Sequence, residues 1–225
     1  MTQSVLIVGA SRGIGLGLAE EFAKRGWEVT ATVRDAKGAA ALGKVAGVRA
    51  ETADTTDVKS VEALRETLNG KQFDAIIVNA GVGGPQANPR TVSDAEFTKL
   101  YVTNSLAPVR FAEIFAKQIK PKTGVVGLMT SELGSVEGAG AGGFELYRGS
   151  KAALNSLTRS FAARHKDKEL AVLSLHPGWV KTDMGGPNAA IDVATSVKGL
   201  ADVVERAQKD RQSGYFDYAG ATIAW

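Results

Sequence analysis

The sequence has 225 residues, 44% hydrophobic and 23% charged, with a formal net charge of +3, which is enough chain for one domain with a buried core. It has no cysteine and two histidines, which excludes a disulfide framework and thiolate ligation, and no metal site is expected. No basic run or aromatic-interleaved stripe suits nucleic acid, no apolar run reaches the length of a membrane span, and the opening MTQSVLIVGAS lacks a basic region and a cleavage site, so a cytoplasmic protein with neither nucleic acid nor membrane as partner is expected.

Glycine stands out, because 26 residues are about 12% of the chain against about 7% on average. These glycines cluster locally without a repeat, which reads as functional loops. In chain order, short apolar runs at 4–9 (SVLIVG), 28–33 (EVTATV), 47–52 (GVRAET), 73–79 (FDAIIVN), 124–130 (GVVGLMT) and 170–176 (LAVLSLH) read as strands. Several are apolar on both faces, as strands inside a parallel sheet are. Helix-length segments lie between them at 13–25, 58–68, 94–119 and 146–165, a late helix is expected at 190–207, and SGYFDYAG offers a short last strand. The alternation runs through the whole chain with no linker or internal repeat. It predicts a single α/β domain over residues 1–225, a Rossmann-type doubly wound parallel sheet of about seven strands with helices on both faces.

The first strand passes into the first helix through LIVGASRGIG. Glycines in such a turn allow close backbone approach to a pyrophosphate and close helix–strand packing, and the helix N-terminus attracts the anion. Gly9, Ser11, Arg12, Gly13, Ile14 and Gly15 are therefore the candidate phosphate loop of a dinucleotide site. Asp35 lies about 20 residues beyond Gly15, a spacing that would suit a ribose-binding acid and NAD. The apolar pattern of the second strand stops at Val33, however, which puts Asp35 past the strand end. Arg34 then sits beside the ribose with Arg12 nearby, and two guanidiniums suit the 2′-phosphate of NADP(H).

Further along, YRGSK places Tyr147 and Lys151 four residues apart, on one helix face. About 0.3 such pairs are expected by chance in a chain of this composition, so the spacing alone is weak. The chemistry is nevertheless feasible. A phenol of pKa about 10 must fall by about 3 units to exchange a proton near neutrality, and an ammonium at about 4 Å with an effective dielectric near 20 supplies roughly that, about 4 kcal/mol. Upstream, Pro108 lacks an N–H, so the carbonyl of Asn104 loses its helix partner.

The loop G-x-x-x-G-x-G, VNAG (78–81), MTSELGS (129–135), YRGSK (147–151) and LHPGWVKTDMGG (175–186) follow one another in an order that resembles the short-chain dehydrogenase/reductase family over essentially the whole chain. Within it, YRGSKAALN, HPGWVKTDMGG and the tail YFDYAG…W resemble the C-factor-like carbonyl reductase branch. The resemblance implies an NADP(H)-dependent oxidoreductase that reduces an aldehyde, ketone or quinone, or oxidises an alcohol in the reverse direction. It makes Tyr147 the proton donor, Ser131 the group that orients the carbonyl oxygen, and Lys151 the group that tunes the phenol and holds the nicotinamide ribose. The backbone carbonyl of Asn104 would anchor a water near Lys151. By the same resemblance Asp54 contacts the adenine, Asn79, Ala80 and Gly81 lie behind it, and Pro177, Gly178, Val180 and Thr182 approach the nicotinamide carboxamide.

Two departures matter. Val78 replaces the first Asn of the family's N-N-A-G, and VEGAGAGGFEL lengthens the Ser-to-Tyr spacing. The second makes Ser135 a rival to Ser131 and supplies a loop at 138–143 that could cover the substrate. Few residues separate Thr182 from the late helix, which favours small to medium apolar substrates. His176 and His165 are assigned no proton transfer. The 94–119 helix is apolar on more than one side (FTKLYV, VRFAEIF), and the resemblance implies a homodimer or homotetramer paired through it, with Trp225 at such an interface. A dinucleotide-sensing or signalling protein with little turnover is the alternative from another class.

Overall fold

Four of the apolar runs become strands with every residue buried: β1 (Ser4–Val8), β4 (Ala75–Val78), β5 (Val125–Met129) and β6 (Ala171–His176). The computed structural model describes residues 2–85, 87–141 and 143–225. Together with β2 (Glu28–Val33), β3 (Val48–Thr52) and β7 (Gly214–Asp217), these strands form one parallel sheet in the order β3-β2-β1-β4-β5-β6-β7. The two-residue period of a strand divides the core between two faces. Val5, Ile7, Ala75 and Ile77 point to one, while Leu6, Val8, Ile76 and Val78 point to the other.

The first face is covered by α1 (Gly13–Lys24), through Leu18 and Phe22, and by α7 (Val193–Asp210), through Val197, Leu200 and Val204. The second is covered by α3 (Val58–Thr67), α5 (Ala107–Ile114) and α6 (Glu145–Arg164), through Leu64, Phe111 and Phe161. α2 (Ala36–Leu42) and α4 (Asp94–Tyr101) complete the helices. The strand order reverses between β1 and β4, and the crevice at such a switch point is where open α/β sheets bind ligands.

Two elements differ from the sequence expectation. α2 was not anticipated, because it is short and carries Gly38 in its interior. Asp35 caps it, its Oδ1 accepting from the Gly38 amide at 2.9 Å. The single helix expected over 94–119 is broken instead. α4 starts from a Ser93–Glu96 capping box and runs into a π-helical turn at Val102–Leu106, where the Ala107 amide donates five residues back to Val102. α5 then follows with Pro108 in its first turn, and a 3₁₀ turn closes the segment at Ala116–Gln118. A proline without an N–H cannot sustain the regular ladder, and the π turn absorbs the mismatch directly beside Asn104.

Candidate active site

Glycines shape the nucleotide end of the site. Gly9 leaves β1 with φ +88°, and a Cβ there would lie 2.9 Å from the Cβ of Ala80. Its amide donates to Thr32 Oγ1 at 3.1 Å, and its carbonyl accepts from Asn79 Nδ2 at 2.8 Å. Gly15, inside α1, is tighter still, since a Cβ would come within 2.0 Å of the Gly9 carbonyl oxygen. The phosphate loop and the Asn79–Gly81 turn are thus welded together at the switch point. Ser11 packs toward Gly38 of α2, Ile14 rests against the core, and Gly13, at φ +54°, faces Thr182. Asn79 therefore braces the loop by a side-chain bond that its place in VNAG does not reveal.

Both sequence-predicted arginines are exposed at this end. Arg12 Nη1 lies 3.2 Å from Asp183 Oδ2, a mostly solvated pair that bridges the phosphate loop to the segment after β6 and is cheap to open. Arg34 lies near Asp54. Asp54 Oδ1 accepts from the Thr56 hydroxyl at 2.7 Å and the Thr56 amide at 2.8 Å, and these bonds, with Arg34 adding to them, hold its carboxyl below the usual range. Asp35 caps α2 through Oδ1.

On the far side of β6, Pro177 accepts from the Ser196 hydroxyl at 2.6 Å. Gly178, at φ +83°, leaves no space for a side chain against Ile191 and Tyr218. Val180 is buried and bridges to Ile191, and Thr182 Oγ1 accepts from the Gly185 amide at 3.1 Å. Of these residues, Thr182 lies against Gly13 of the glycine loop.

The proton-transfer candidates converge where β5 ends and α6 begins. Ser131 follows β5, is nearly buried, and accepts from the Leu133 amide through Oγ. Its side chain is close enough to act on the Tyr147 phenol. Ser135, its rival, is turned to another task, with its hydroxyl accepting from the Gly138 amide at 3.1 Å. Lys151 is 4% exposed, and its Nζ lies 5.8 Å from the Tyr147 ring centroid and donates to the Met129 carbonyl at 2.9 Å. Burial pulls the Lys151 ammonium down to about 8 and pushes the Tyr147 phenol up, with Ser131 opposing the latter shift. From the Tyr147–Lys151 spacing alone the phenol is expected to be lowered by its lysine. In the fold, desolvation penalises the charged form of both groups, and the ammonium is bonded to a backbone carbonyl.

Asn104 is fully buried. Its backbone carbonyl is the one that Pro108 cannot serve. The structure adds the side chain, whose Oδ1 accepts from the Val82 amide at 2.8 Å while Nδ2 donates to the Val82 carbonyl at 2.8 Å and to Ser150 Oγ at 3.1 Å. A Cβ on Gly81 would lie 3.3 Å from Asn104 Oδ1 and 3.5 Å from Lys151 Nζ. One asparagine thus ties the turn after β4 to α6 beside the catalytic lysine candidate.

A cavity of about 360 Å³ opens next to Tyr147, lined by Gly83, Pro85, Ala87, Phe144 and Leu146 among others. Phe144 is 66% exposed at the left-handed start of α6, and Met184 reaches toward Gly83. The 3₁₀ turn Glu137–Ala141 is tied down by Ser135 and by Arg148, whose Nη2 donates to Gly138 at 2.8 Å. Gly142, within the expected covering loop, lies outside the described residues. A cleft of about 300 Å³ along α7, lined by Lys198, Asp202, Arg206 and Tyr218, includes none of the predicted residues. His176 is buried beside Glu132, 3.6 Å away, and burial pushes its imidazole down. Among the described residues no helix is long and apolar enough to cross a membrane.

Known proteins carry the same frame. The chain is 34% identical over 153 residues to C-signal of Myxococcus xanthus, covering 68% of this chain and 92% of that protein. A short-chain dehydrogenase/reductase of Burkholderia multivorans with bound NADP superposes with a TM-score of 0.93 at 41% identity, over 100% of both chains. A carbonyl reductase of Pseudomonas aeruginosa PAO1 in complex with NADP does so at 0.92 and 37%, again over 100% of both. The family model described as short chain dehydrogenase matches residues 3–191, and with the glycine cradle at the switch point and the Ser131–Tyr147–Lys151 cluster beside it, the chain belongs to the short-chain dehydrogenase/reductase family.

Proposed function

We propose that this protein is an NADP(H)-dependent carbonyl reductase for small to medium apolar aldehydes, ketones or quinones. The observation that carries the reading is the convergence of Ser131, Tyr147 and a buried Lys151 beside the Asn79–Gly81 turn, which abuts the glycine cradle at Gly9. The cradle fits a dinucleotide. Gly9 and Gly15 admit no side chain, the N-terminus of α1 opens at Gly13, and Arg12 and Arg34 supply charge for a 2′-phosphate. The NADP-bound relatives from Burkholderia and Pseudomonas support that choice. Asp54, Asn79, Ala80 and Gly81 form the adenine side of this reading, and Pro177, Gly178, Val180 and Thr182 the nicotinamide side.

Bound there, the cofactor supplies the hydride to the carbonyl carbon. The protein supplies the proton and the geometry. Ser131 donates to the carbonyl oxygen and orients it, and Tyr147 gives its phenolic proton to the oxygen as it becomes an alkoxide. Burial raises the phenol pKa and keeps it protonated, which is the state a proton donor needs. Lys151 remains largely cationic at neutral pH and stabilises the phenolate left behind. Asn104 holds the turn after β4 against α6, so that Lys151 and Gly81 keep their spacing.

The exposed apolar side chains of Phe144, at the cavity, and Met184, beside Gly83, support an apolar substrate. Phe97 and Leu106, exposed on α4 and the π turn, support pairing into a homodimer or homotetramer, and a monomer by light scattering would sink that part. Trp225 does not need an interface to explain it, because it packs within the chain on Tyr215. The test of the activity is NADPH consumption against a panel of carbonyls, with NADH in parallel. Tyr147→Phe should lose about 10²–10⁴-fold in kcat. Tight NADPH binding with no turnover across the panel would shift the reading to a sensing protein.

A further inference from the structure

Tyr215 is the largest fully buried side chain of the last strand, 1% exposed, and no step described above uses it. It stands opposite Ser174 in the β6–β7 register, and this small partner leaves room for the ring to reach across β6. Its hydroxyl donates to the backbone carbonyl of Ser131, which also accepts from the Gly134 amide at 2.7 Å. Burial pushes the Tyr215 phenol up to about 12, so the group remains a donor throughout the working pH range.

The ring is held from behind. Trp225 packs on it with centroids 5.4 Å apart, and Arg159 of α6 lies over the Trp225 ring at 5.1 Å. The segment after β7 returns antiparallel to it, with Ile223 donating to the Tyr215 carbonyl at 2.8 Å. The Trp225 carbonyl also accepts from the Glu137 amide at 3.4 Å, on the turn that follows Ser131. The serine is thus fixed by groups more than 80 residues further along the chain.

We propose that Tyr215, backed by Trp225, is a positioning residue for Ser131, setting the backbone from which the serine hydroxyl meets the substrate carbonyl. The proposal rests on the reading of Ser131 as the orienting hydroxyl. A hydroxyl carried on a misplaced backbone still binds substrate but loses alignment in the transition state, so the loss falls on kcat.

The test is a double-mutant cycle between Tyr215→Phe and Ser131→Ala, with kcat, KM for NADPH and thermal midpoint measured for each protein. Tyr215→Phe retains the ring and its contact with Trp225, and it leaves the Ser131 carbonyl its bond to Gly134. The expected result is a fall in kcat of about fivefold to tenfold, the rate equivalent of one hydrogen bond, with KM for NADPH within about twofold of the parent. In the Ser131→Ala background the same change should cost nothing further. An equal loss in both backgrounds, or no loss in the parent, overturns the proposal. Should Ser131→Ala keep full kcat, the reading of the serine fails and the positioning role falls with it, a pattern distinct from failure of the inference alone. If Tyr215→Phe folds poorly, Trp225→Ala at the half-exposed ring replaces it. A loss of about twofold confined to the Ser131 background is then expected, and an equal loss in both backgrounds overturns the proposal.

Discussion

Replacing Gly15 by alanine sets two effects of opposite sign against each other. Gly15 lies inside α1, where alanine is the better helix former by about 1 kcal/mol. On propensity alone the substitution stabilises. The fold opposes it, because the new Cβ would stand 2.0 Å from the Gly9 carbonyl oxygen and 2.7 Å from Asn79 Nδ2. A carbon–oxygen contact relaxes only near 3.3 Å, so about 1.3 Å of backbone displacement is needed. Gly9 has nowhere to retreat, since it already abuts Ala80. Overpacking of this kind costs about 3 kcal/mol, and the Asn79–Gly9 bond adds about 1. The net loss is about 3 kcal/mol after the helix gain, or roughly 6–12 °C in Tm for a domain of this size. The control is Gly17→Ala, one helix position pair further on. There the nearest atoms are the Cγ1 methyls of Val193 and Val197, at 2.7 and 3.1 Å, which can yield. Its packing cost of about 1 kcal/mol cancels the helix gain, and Tm should stay within about 3 °C of the parent. The assay is thermal unfolding of both variants without nucleotide, followed by kcat/KM for NADPH, where Gly15→Ala should lose on the order of 100-fold through the displaced loop. A Gly15→Ala protein as stable as its parent would refute the steric argument.

Lys151 predicts a pH dependence. Its folded pKa of about 8 lies below the unfolded value near 10.4, so above pH 8 the unfolded chain holds more protons and stability rises with pH. Urea titrations at pH 7.5 and 9.5 should show a gain of about 2 kcal/mol that Lys151→Met abolishes. Over the same window kcat/KM for reduction should fall above about pH 8 as the ammonium is lost, and a profile flat to pH 10 would refute the role given to Lys151. Arg34→Ala should raise KM for NADPH about 10–100-fold, the worth of a charge-assisted phosphate contact, and leave KM for NADH within about twofold. Equal loss for both cofactors would place Arg34 away from the 2′-phosphate.

The strands were legible because their apolar runs carry their own signal: β1, β4, β5 and β6 are buried on both faces, and runs rich in Val, Ile and Leu admit little else. The glycine loop and the Tyr147–Lys151 spacing were legible for a similar reason, since a close backbone approach and a shared helix face are local requirements. α2 escaped notice because seven residues with a glycine inside carry no strong period. The break in the 94–119 helix was half visible, in that Pro108 announces a lost hydrogen bond but not the π turn that absorbs it.

The sequence by itself determined the sheet and singled out a candidate phosphate loop and candidate proton-transfer groups, because each signal lies in residues adjacent in the chain or one helical turn apart. Only the tertiary structure decided how those groups behave. Burial by distant segments raises the Tyr147 phenol and lowers the Lys151 ammonium, Asn104 reaches across to Val82 and Ser150, and Tyr215 reaches Ser131 over an intervening strand. Desolvation and long-range hydrogen bonds depend on what the folded chain places around a group, and no local pattern of residue types records that.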